Sequence, residues 1–240
     1  MSKPDLLVAL WCRYDGAGFH GYQAQGTLRT VQAELLRAFR EAGLPRNPVV
    51  AGRTDRGVSA RMQVLSARVH RTSSLDEMTR ALNTALPEDV RVELIKPAVE
   101  KFHAAWSATG KVYRYATRDV PLVPLREAAA LVPGTRTFRT FHFKTSEART
   151  RTVHSVVVGD DGVVTFTGDA FARHMVRMLM GGMLAVVSGK ISRELFIDGL
   201  ERETFFHCPV APAEPLMLWE VLYPPDVDPF SADERAARLR

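Results

Sequence analysis

Residues 51–60 have the sequence AGRTDRGVSA, which places one carboxylate, Asp55, between two arginines. Two glycines in this stretch allow positive φ angles and close approach of the backbone to a ligand, so it is predicted to be a sharp connection that presents a side chain. Arg53 and Arg56 would favour the ionised form of Asp55. A carboxylate kept charged among cations can act as a nucleophile or as a base. The charge pattern alone is equally typical of a solvated turn with incidental ion pairs.

The composition around this loop is that of a globular chain with a basic balance. The 240 residues are 46% hydrophobic, which is enough to form a core in one large domain or two small ones. Lysine and arginine number 32 against 27 acidic residues, so the net charge is +5 and the pI is near 9.5. This balance suits a polyanionic partner such as a nucleic acid.

The cysteines and apolar runs indicate a protein of the cytoplasm. Cys12 and Cys208 lie far apart and neither belongs to a C-x-x-C pair, so we expect no disulfide and no metal site. Only Lys3 precedes the apolar run 6–12 and no A-x-A cleavage site follows it, which argues against a signal peptide. The longest other apolar run, 178–187, is too short to span a bilayer. We therefore expect no membrane association.

Hydrophobic periodicity in the first half predicts a strand, a helix, a strand, a helix and a strand. These segments are 6–12, 31–42, 63–70, a helix that begins after Ser74 and runs to 86, and 90–99. Thr30 is a suitable N-cap for the first helix and Gly43 a suitable residue beyond its end. Ser74 and Glu77 have the spacing of a capping box for the second helix.

The second half is predicted to repeat this plan with an added hairpin. Its segments are a strand at 111–118, apolar segments at 122–131 and 138–143 around a Pro-Gly turn, hairpin strands at 151–158 and 163–168, helices at 171–188 and 193–203, and a closing strand at 216–223. Alternation along the first strand places Tyr113 and Tyr115 on one face. The tail 224–240, rich in Pro, Asp and Arg, is predicted to be loosely attached.

The order strand, helix, strand, strand, helix, strand in each half predicts an α+β fold built from two ferredoxin-like split βαβ units. The halves are predicted at 1–105, which carries the catalytic loop 51–60, and at 106–240, which carries Tyr113 and the helix 171–188. Periodicity leaves open whether the two sheets are joined or packed side by side.

The loop 51–60 closely resembles the signature GRTDxGVxA of the TruA family of tRNA pseudouridine synthases. Further family-like segments follow in the right order, and together they span about residues 6–223. They are YDG at 14–16, GYQAQ at 21–25, TVQ at 30–32, LNTALP at 82–87, FHAAW at 102–106, KVYRY at 111–115, GDAFARHMVR at 168–177 and AP at 211–212.

The resemblance implies the pseudouridine synthase fold, in which the two halves form one continuous, mostly antiparallel sheet flanked by helices, with a catalytic cleft. It implies isomerisation of uridine to pseudouridine at tRNA positions 38, 39 and 40, in the anticodon stem-loop, by an enzyme that works as a homodimer. In this reaction the bond from C1′ to N1 breaks, the uracil turns, and C5 bonds to C1′. The resemblance implies no cofactor.

By the same resemblance, Asp55 is the catalytic carboxylate, Tyr113 stacks on the target uracil, and Arg177 pairs with Asp55. Judged without the resemblance, Tyr113 is an ordinary core aromatic of a strand. Arg177 could equally be a helix-edge arginine whose charged head reaches solvent. Its neighbours at 175–180 are mostly apolar, however, and an arginine buried among them needs an anionic partner.

Arg53 and Thr54 are expected to shape the loop or to hold a phosphate of the substrate. Several residues depart from the family pattern and bear on substrate range. Tyr22 replaces Trp, Met178 replaces Asn, and Arg-Thr at 136–137 stands where His-Asp is usual.

The stretch 136–151 is basic with three interleaved phenylalanines, as an RNA surface is, although core helices have the same composition. Two other functions remain open. The first is a catalytically weak tRNA-binding folding chaperone with the same fold. The second is a metabolic enzyme with an acidic substrate, for which the sequence has no phosphate loop, dinucleotide fingerprint or metal cluster.

Overall fold

The computed structural model describes residues 5–44, 48–70, 74–143 and 149–239. Its elements, in chain order, are β1 (Leu6–Tyr14), α1 (Val31–Glu41), β2 (Val49–Val50), β3 (Ser59–Val69), α2 (Leu75–Ala85), β4 (Val90–Pro97), β5 (Gly110–Ala116), α3 (Leu122–Ala129), β6 (Gly134–Arg136), a 3₁₀ turn (Arg139–Phe141), β7 (Arg151–Val158), β8 (Val163–Gly168), α4 (Met175–Val187), α5 (Arg193–Glu201), β9 (Leu216–Leu222) and α6 (Ala232–Arg238). The described strands belong to one nine-stranded sheet. This confirms the predicted α+β class and the continuous, mostly antiparallel sheet flanked by helices.

The chain forms two compact units, Met1–Thr109 with Leu218–Arg240, and Gly110–Met217. The predicted halves, 1–105 and 106–240, differ from these units chiefly in where the C-terminal residues belong. Residues Leu218–Arg240, which include most of β9 and all of α6, belong to the first unit.

In the first unit, β1 is the central strand of a local sheet. It pairs antiparallel with β3 on one side and with β4 on the other, so its apolar residues are covered and almost all buried. Helix α1 has its predicted N-cap, since Thr30 accepts a hydrogen bond from the backbone N–H of Ala33, and Gly43 follows the helix with a φ of +67°. The capping box at the start of α2 is also confirmed.

Strand β3 begins at Ser59, four residues before the predicted start at Gln63. The early residues pair with the end of β1, where Ala60 lies opposite Tyr14. The loop 51–60 therefore leads directly into a buried strand, and its end is held by the ladder of that strand.

The C-terminal tail is docked on the first unit, so the prediction of a loose attachment is wrong. Phe230 is buried and packs edge-on against Trp11, with ring centroids 5.5 Å apart. Arg235, only 13% exposed, bonds to Glu220 and to Asp228 at 2.7 Å each. Polar composition suggested mobility, but a Ser-x-x-Glu capping box starts α6 and these long-range partners anchor it.

In the second unit, β5, β8, β7 and β6 pair antiparallel in that order, and the hairpin predicted at 151–158 and 163–168 has the predicted bounds. Helix α4 starts at Met175, four residues later than predicted, because His174 adopts a left-handed conformation with φ of +63°. Phe171 consequently lies in the loop before α4. No helix among the described residues is long and apolar enough to cross a membrane.

The predicted RNA surface at 136–151 does not hold for two of its three aromatic residues. Phe138 and Phe141 are buried in the core of the second unit, while Phe143 is exposed. Residues 144–148 of this stretch lie outside the described residues. The composition suited both surface and core, and burial of the two rings decides for the core.

Candidate active site

The loop 51–60 connects β2 to β3 and presents Asp55 at a half-buried position. Arg53 and Arg56 on either side are exposed, whereas Thr54 is buried. The carboxylate therefore lies at the boundary between protein and solvent, between two cations that are accessible to a polyanion.

Backbone hydrogen bonds hold this loop in place. The N–H of Tyr22 donates to the carbonyl of Thr54 at 3.1 Å, and the N–H of Val58 donates to the carbonyl of Asp55 at 3.1 Å. The N–H of Ala51 donates to the carbonyl of Val64 at 2.8 Å. The backbone before Asp55 is thus fixed by Tyr22 and Val64, which lie outside the loop. The backbone after Asp55 is fixed by the hydrogen bond from Val58 within the loop.

A turn formed by residues 15–22 packs directly against the backbone of the loop that carries Asp55. A Cβ on Gly16 would lie 2.3 Å from the carbonyl carbon of Val58, which is far closer than two non-bonded carbon atoms can approach. Gly21 has a φ of +93°, and a Cβ there would lie 3.2 Å from the carbonyl oxygen of Thr54. These glycines, which belong to the YDG and GYQAQ segments, permit the close contact.

Beneath the loop lies a buried network of polar side chains. The hydroxyl of Tyr14 is 2.8 Å from the hydroxyl of Thr54. The fully buried amide of Gln63 donates from Nε2 to the carbonyl of Gly52 at 2.7 Å and to the Tyr14 hydroxyl at 3.3 Å. Thr54 therefore shapes the loop, and its hydroxyl is already engaged there.

Sequence reasoning missed the role of Gln63. The available signal was a glutamine whose neighbours in the strand, Met62, Val64 and Leu65, are apolar. A polar side chain at such a position is costly unless it is hydrogen-bonded, so it indicates a buried partner.

Burial also controls the titratable groups near the loop. It raises the pKa of Tyr14 to about 12, so this hydroxyl is protonated at physiological pH. It raises the pKa of the Cys12 thiol as well, which makes this cysteine unreactive. Cys12 and Cys208 are both free and buried, as expected for cysteines outside a disulfide.

In the second unit, Tyr113 lies on β5 and is 8% exposed. It shares the buried face of the strand with Tyr115, as the alternation predicts. Its ring packs edge-on against Phe171, with centroids 5.3 Å apart and an interplanar angle of 85°. An edge-on partner supports the ring from the side, and this arrangement is compatible with a stacking role as well as with a core aromatic.

Arg177 lies in the first turns of α4 and is fixed by the segment that precedes β9. Its Nε donates to the carbonyl of Ala211 at 2.8 Å, and the N–H of Ala211 donates to the carbonyl of Arg177 at 3.0 Å. Burial raises the pKa of Tyr115, and the positive charge of Arg177 opposes this rise. The guanidinium is therefore held by the unit. Its predicted pairing with Asp55 stays a prediction.

Of the predicted site residues, Arg53, Thr54 and Asp55 lie together on one loop of the first unit. Tyr113 and Arg177 lie on β5 and α4 of the second unit. Among the residues that the structure describes, no three His, Cys, Asp or Glu side chains form a group that could hold a metal ion.

Two of the positions that depart from the family pattern have structural contacts. The ring of Tyr22 is buried 6.4 Å from that of Tyr14. Arg136 forms an ion pair with Glu201 at 2.6 Å. Each of these side chains contacts a residue of its own unit.

Comparisons with known proteins give a consistent result. A family model described as tRNA pseudouridine synthase matches residues 128–224. A protein of Geobacillus kaustophilus named tRNA pseudouridine synthase A is 36% identical, over 88% of this chain and 92% of that protein. Proteins with the same name are 36% identical in Methylococcus capsulatus, over 77% of each chain, and 35% identical in a Roseiflexus species, over 96% of this chain and 95% of that protein.

Proposed function

This chain belongs to the tRNA pseudouridine synthase A family, and from this premise we propose that it isomerises uridine to pseudouridine in the anticodon stem-loop of tRNA, with Asp55 as the catalytic carboxylate. The observation that carries the assignment of Asp55 is the construction of its loop. A half-buried carboxylate between two exposed arginines is held by a buried polar network and by two glycine contacts.

The reaction needs a carboxylate close to the sugar and the base, and a fixed orientation accounts for much of the rate that such a group can provide. Asp55 could add to C1′, add to the base, or remove a proton from the sugar. Each route needs an ionised carboxylate that is held beside the flipped nucleotide, and a rigid loop serves all three.

Tyr113 is proposed to stack on the target uracil, and Arg177 and Arg53 to bind the substrate. A base inside a stem must be flipped out before it can reach a side chain, which costs a few kcal/mol. Stacking on an aromatic ring offsets about 1–3 kcal/mol of that cost. The exposed guanidinium of Arg53 suits a phosphate. Arg177 is proposed to act through its planar guanidinium, whose Nε is held by the carbonyl of Ala211.

The net charge of +5 agrees with a tRNA partner, and we propose that the protein acts in the cytoplasm as a homodimer. Trp106 at 86% and Phe205 at 82% are the most exposed large apolar side chains of the described residues, and a dimer interface could bury them. Light scattering during gel filtration tests this directly. A mass near 26.7 kDa at micromolar concentration would contradict the dimer.

The function is tested with unmodified tRNA that carries tritium at C5 of uridine. Isomerisation releases this tritium, so we expect release by the parent protein and, after mapping of the product, pseudouridine on the 3′ side of the anticodon stem-loop. A folding chaperone would bind the tRNA and release no tritium. Absence of release by folded protein would contradict the proposed activity.

Asp55→Asn tests the catalytic residue in the same assay under single-turnover conditions. We expect tritium release to be abolished and tRNA affinity to be nearly unchanged, because removing an anion should not weaken binding to a polyanion. Asp76→Asn is the matched control, since it neutralises an exposed carboxylate in the first turn of α2 of the same unit. Turnover by Asp55→Asn that equals the control would exclude Asp55 as the catalytic carboxylate.

A further inference from the structure

We propose that Tyr14 and Gln63 are positioning residues for catalysis, which hold the backbone on both sides of Arg53 and thereby fix the orientation of Asp55. This inference rests on the proposed function of Asp55. Tyr14 comes from the end of β1 and Gln63 from β3, so both side chains are attached to the central strands of the first unit rather than to the loop.

The side-chain amide of Gln63 is the donor of two hydrogen bonds in this network. Nε2 of Gln63 has two protons, and they are accounted for by the carbonyl of Gly52 and the hydroxyl oxygen of Tyr14. The oxygen of Tyr14 accepts from Gln63, and the hydroxyls of Tyr14 and Thr54 share a further hydrogen bond in which either can be the donor. A continuous chain of hydrogen bonds therefore links Gln63 through Tyr14 to Thr54.

The two ends of this network bind Gly52 and Thr54, the residues on either side of Arg53. Gly52 is held through its carbonyl and Thr54 through its hydroxyl, while the carbonyl of Thr54 accepts from the N–H of Tyr22. With both neighbours fixed, the backbone at Arg53 has little freedom. The position of Asp55, one residue further on, follows from that of Thr54.

The burial of the network makes it sensitive to the loss of any one member. Gln63 is fully buried, and Tyr14 and Thr54 are buried as well. A buried donor or acceptor that loses its partner carries its desolvation cost, so the loop would shift to find another partner or water. A shift of about 1 Å at a catalytic group can reduce a rate by about 10²-fold.

Tyr14→Phe is the main test, because it removes one hydroxyl and retains the ring. Tyr223→Phe is the matched control: the hydroxyl of Tyr223 is also buried in the first unit and donates to the carbonyl of Ala104 at 2.7 Å, away from the loop. We expect Tyr14→Phe to lower the single-turnover rate at least tenfold with tRNA affinity within about twofold of the parent. Tyr223→Phe should lower thermal stability to a similar extent and leave the rate unchanged.

Gln63→Met provides a second variant of similar volume that removes both donated bonds. Amide hydrogen exchange of the peptide that covers residues 52–58 provides a readout independent of activity. We expect faster exchange there in Tyr14→Phe and in Gln63→Met, and no change in Tyr223→Phe.

The two arms separate failure of this inference from failure of the proposed function. If the parent releases no tritium from tRNA, the proposed function fails, and faster exchange at 52–58 still establishes that the network holds the loop. If the parent is active, and Tyr14→Phe matches Tyr223→Phe in both rate and exchange, the positioning role is refuted.

Discussion

Replacement of Gly16 by alanine tests whether the turn 15–22 sets the position of the catalytic loop. The added Cβ would lie 2.3 Å from the carbonyl carbon and oxygen of Val58 and 2.8 Å from the backbone nitrogen of Ser59. Carbon atoms in contact are normally about 3.5–4.0 Å apart, so the two segments must separate by about 1 Å. Both partners are backbone atoms, which cannot move aside as the end of a side chain can.

This separation has two measurable consequences. Overpacking of this kind costs about 1–3 kcal/mol, so we expect the free energy of unfolding to fall by about 2 kcal/mol. For a chain of this size the melting temperature should fall by about 4–8 °C. The displaced loop should reduce the single-turnover rate by about 10²-fold while tRNA binding is retained.

Tritium release and thermal melting are measured for Gly16→Ala and for Gly18→Ala. In the control, which lies in the same turn, the added Cβ meets mainly the flexible end of Arg29, at 2.9 Å. We expect the control to keep most of its activity. A rate for Gly16→Ala within twofold of the Gly18→Ala rate would show that contact with this turn does not position the loop.

Tyr113→Phe should retain most turnover and Tyr113→Ala should lose about 1–3 kcal/mol of base stacking, measured as single-turnover rates; equal inactivity of the two would instead assign a chemical role to the hydroxyl. Arg177→Lys keeps the charge but removes the planar fork and the Nε bond to Ala211, so we expect a sharp fall in turnover with the fold intact by circular dichroism, and parent-like turnover would contradict this. Arg235→Met leaves two mostly buried carboxylates without their cation, so we expect the free energy of unfolding in urea to fall by about 3 kcal/mol. A fall of less than about 0.5 kcal/mol would mean that α6 contributes little to stability. Because burial raises the pKa of Tyr14 from 10.0 to about 12, unfolded chains ionise this residue first, so the contribution of Tyr14 to stability should be constant to about pH 10 and be lost from there towards pH 12. It is measured as the difference in unfolding free energy between the parent and Tyr14→Phe, and a difference that does not change over this range would exclude Tyr14 as a source.

Local signals made much of the fold predictable from sequence. The hairpin at 151–158 and 163–168 was predicted with its observed bounds, because alternating apolar residues flank a glycine-bounded turn. The caps at Thr30 and Ser74 were predicted because a cap depends on residues within one helical turn. The loop that carries Asp55 was identified in the same way, from ten consecutive residues.

Other features depended on residues that are far apart in the chain. The start of α4 moved because His174 adopts a left-handed conformation, which periodicity does not report. The tail is anchored by two contacts with distant parts of the chain. Arg235 forms an ion pair with Glu220 on β9, and Phe230 packs on Trp11, near the N-terminus. Polar composition alone suggested the opposite.

The sequence by itself determined the class of fold, the order of its main helices and strands and the loop that presents Asp55, since each of these follows from short-range patterns. Only the tertiary structure decided what holds that loop. Tyr14 reaches Thr54 across 40 residues and Gln63 across 49, and no local pattern links them. The physical reason is that buried polar groups must find hydrogen-bond partners wherever the folded chain provides them, and the fold alone brings such partners together.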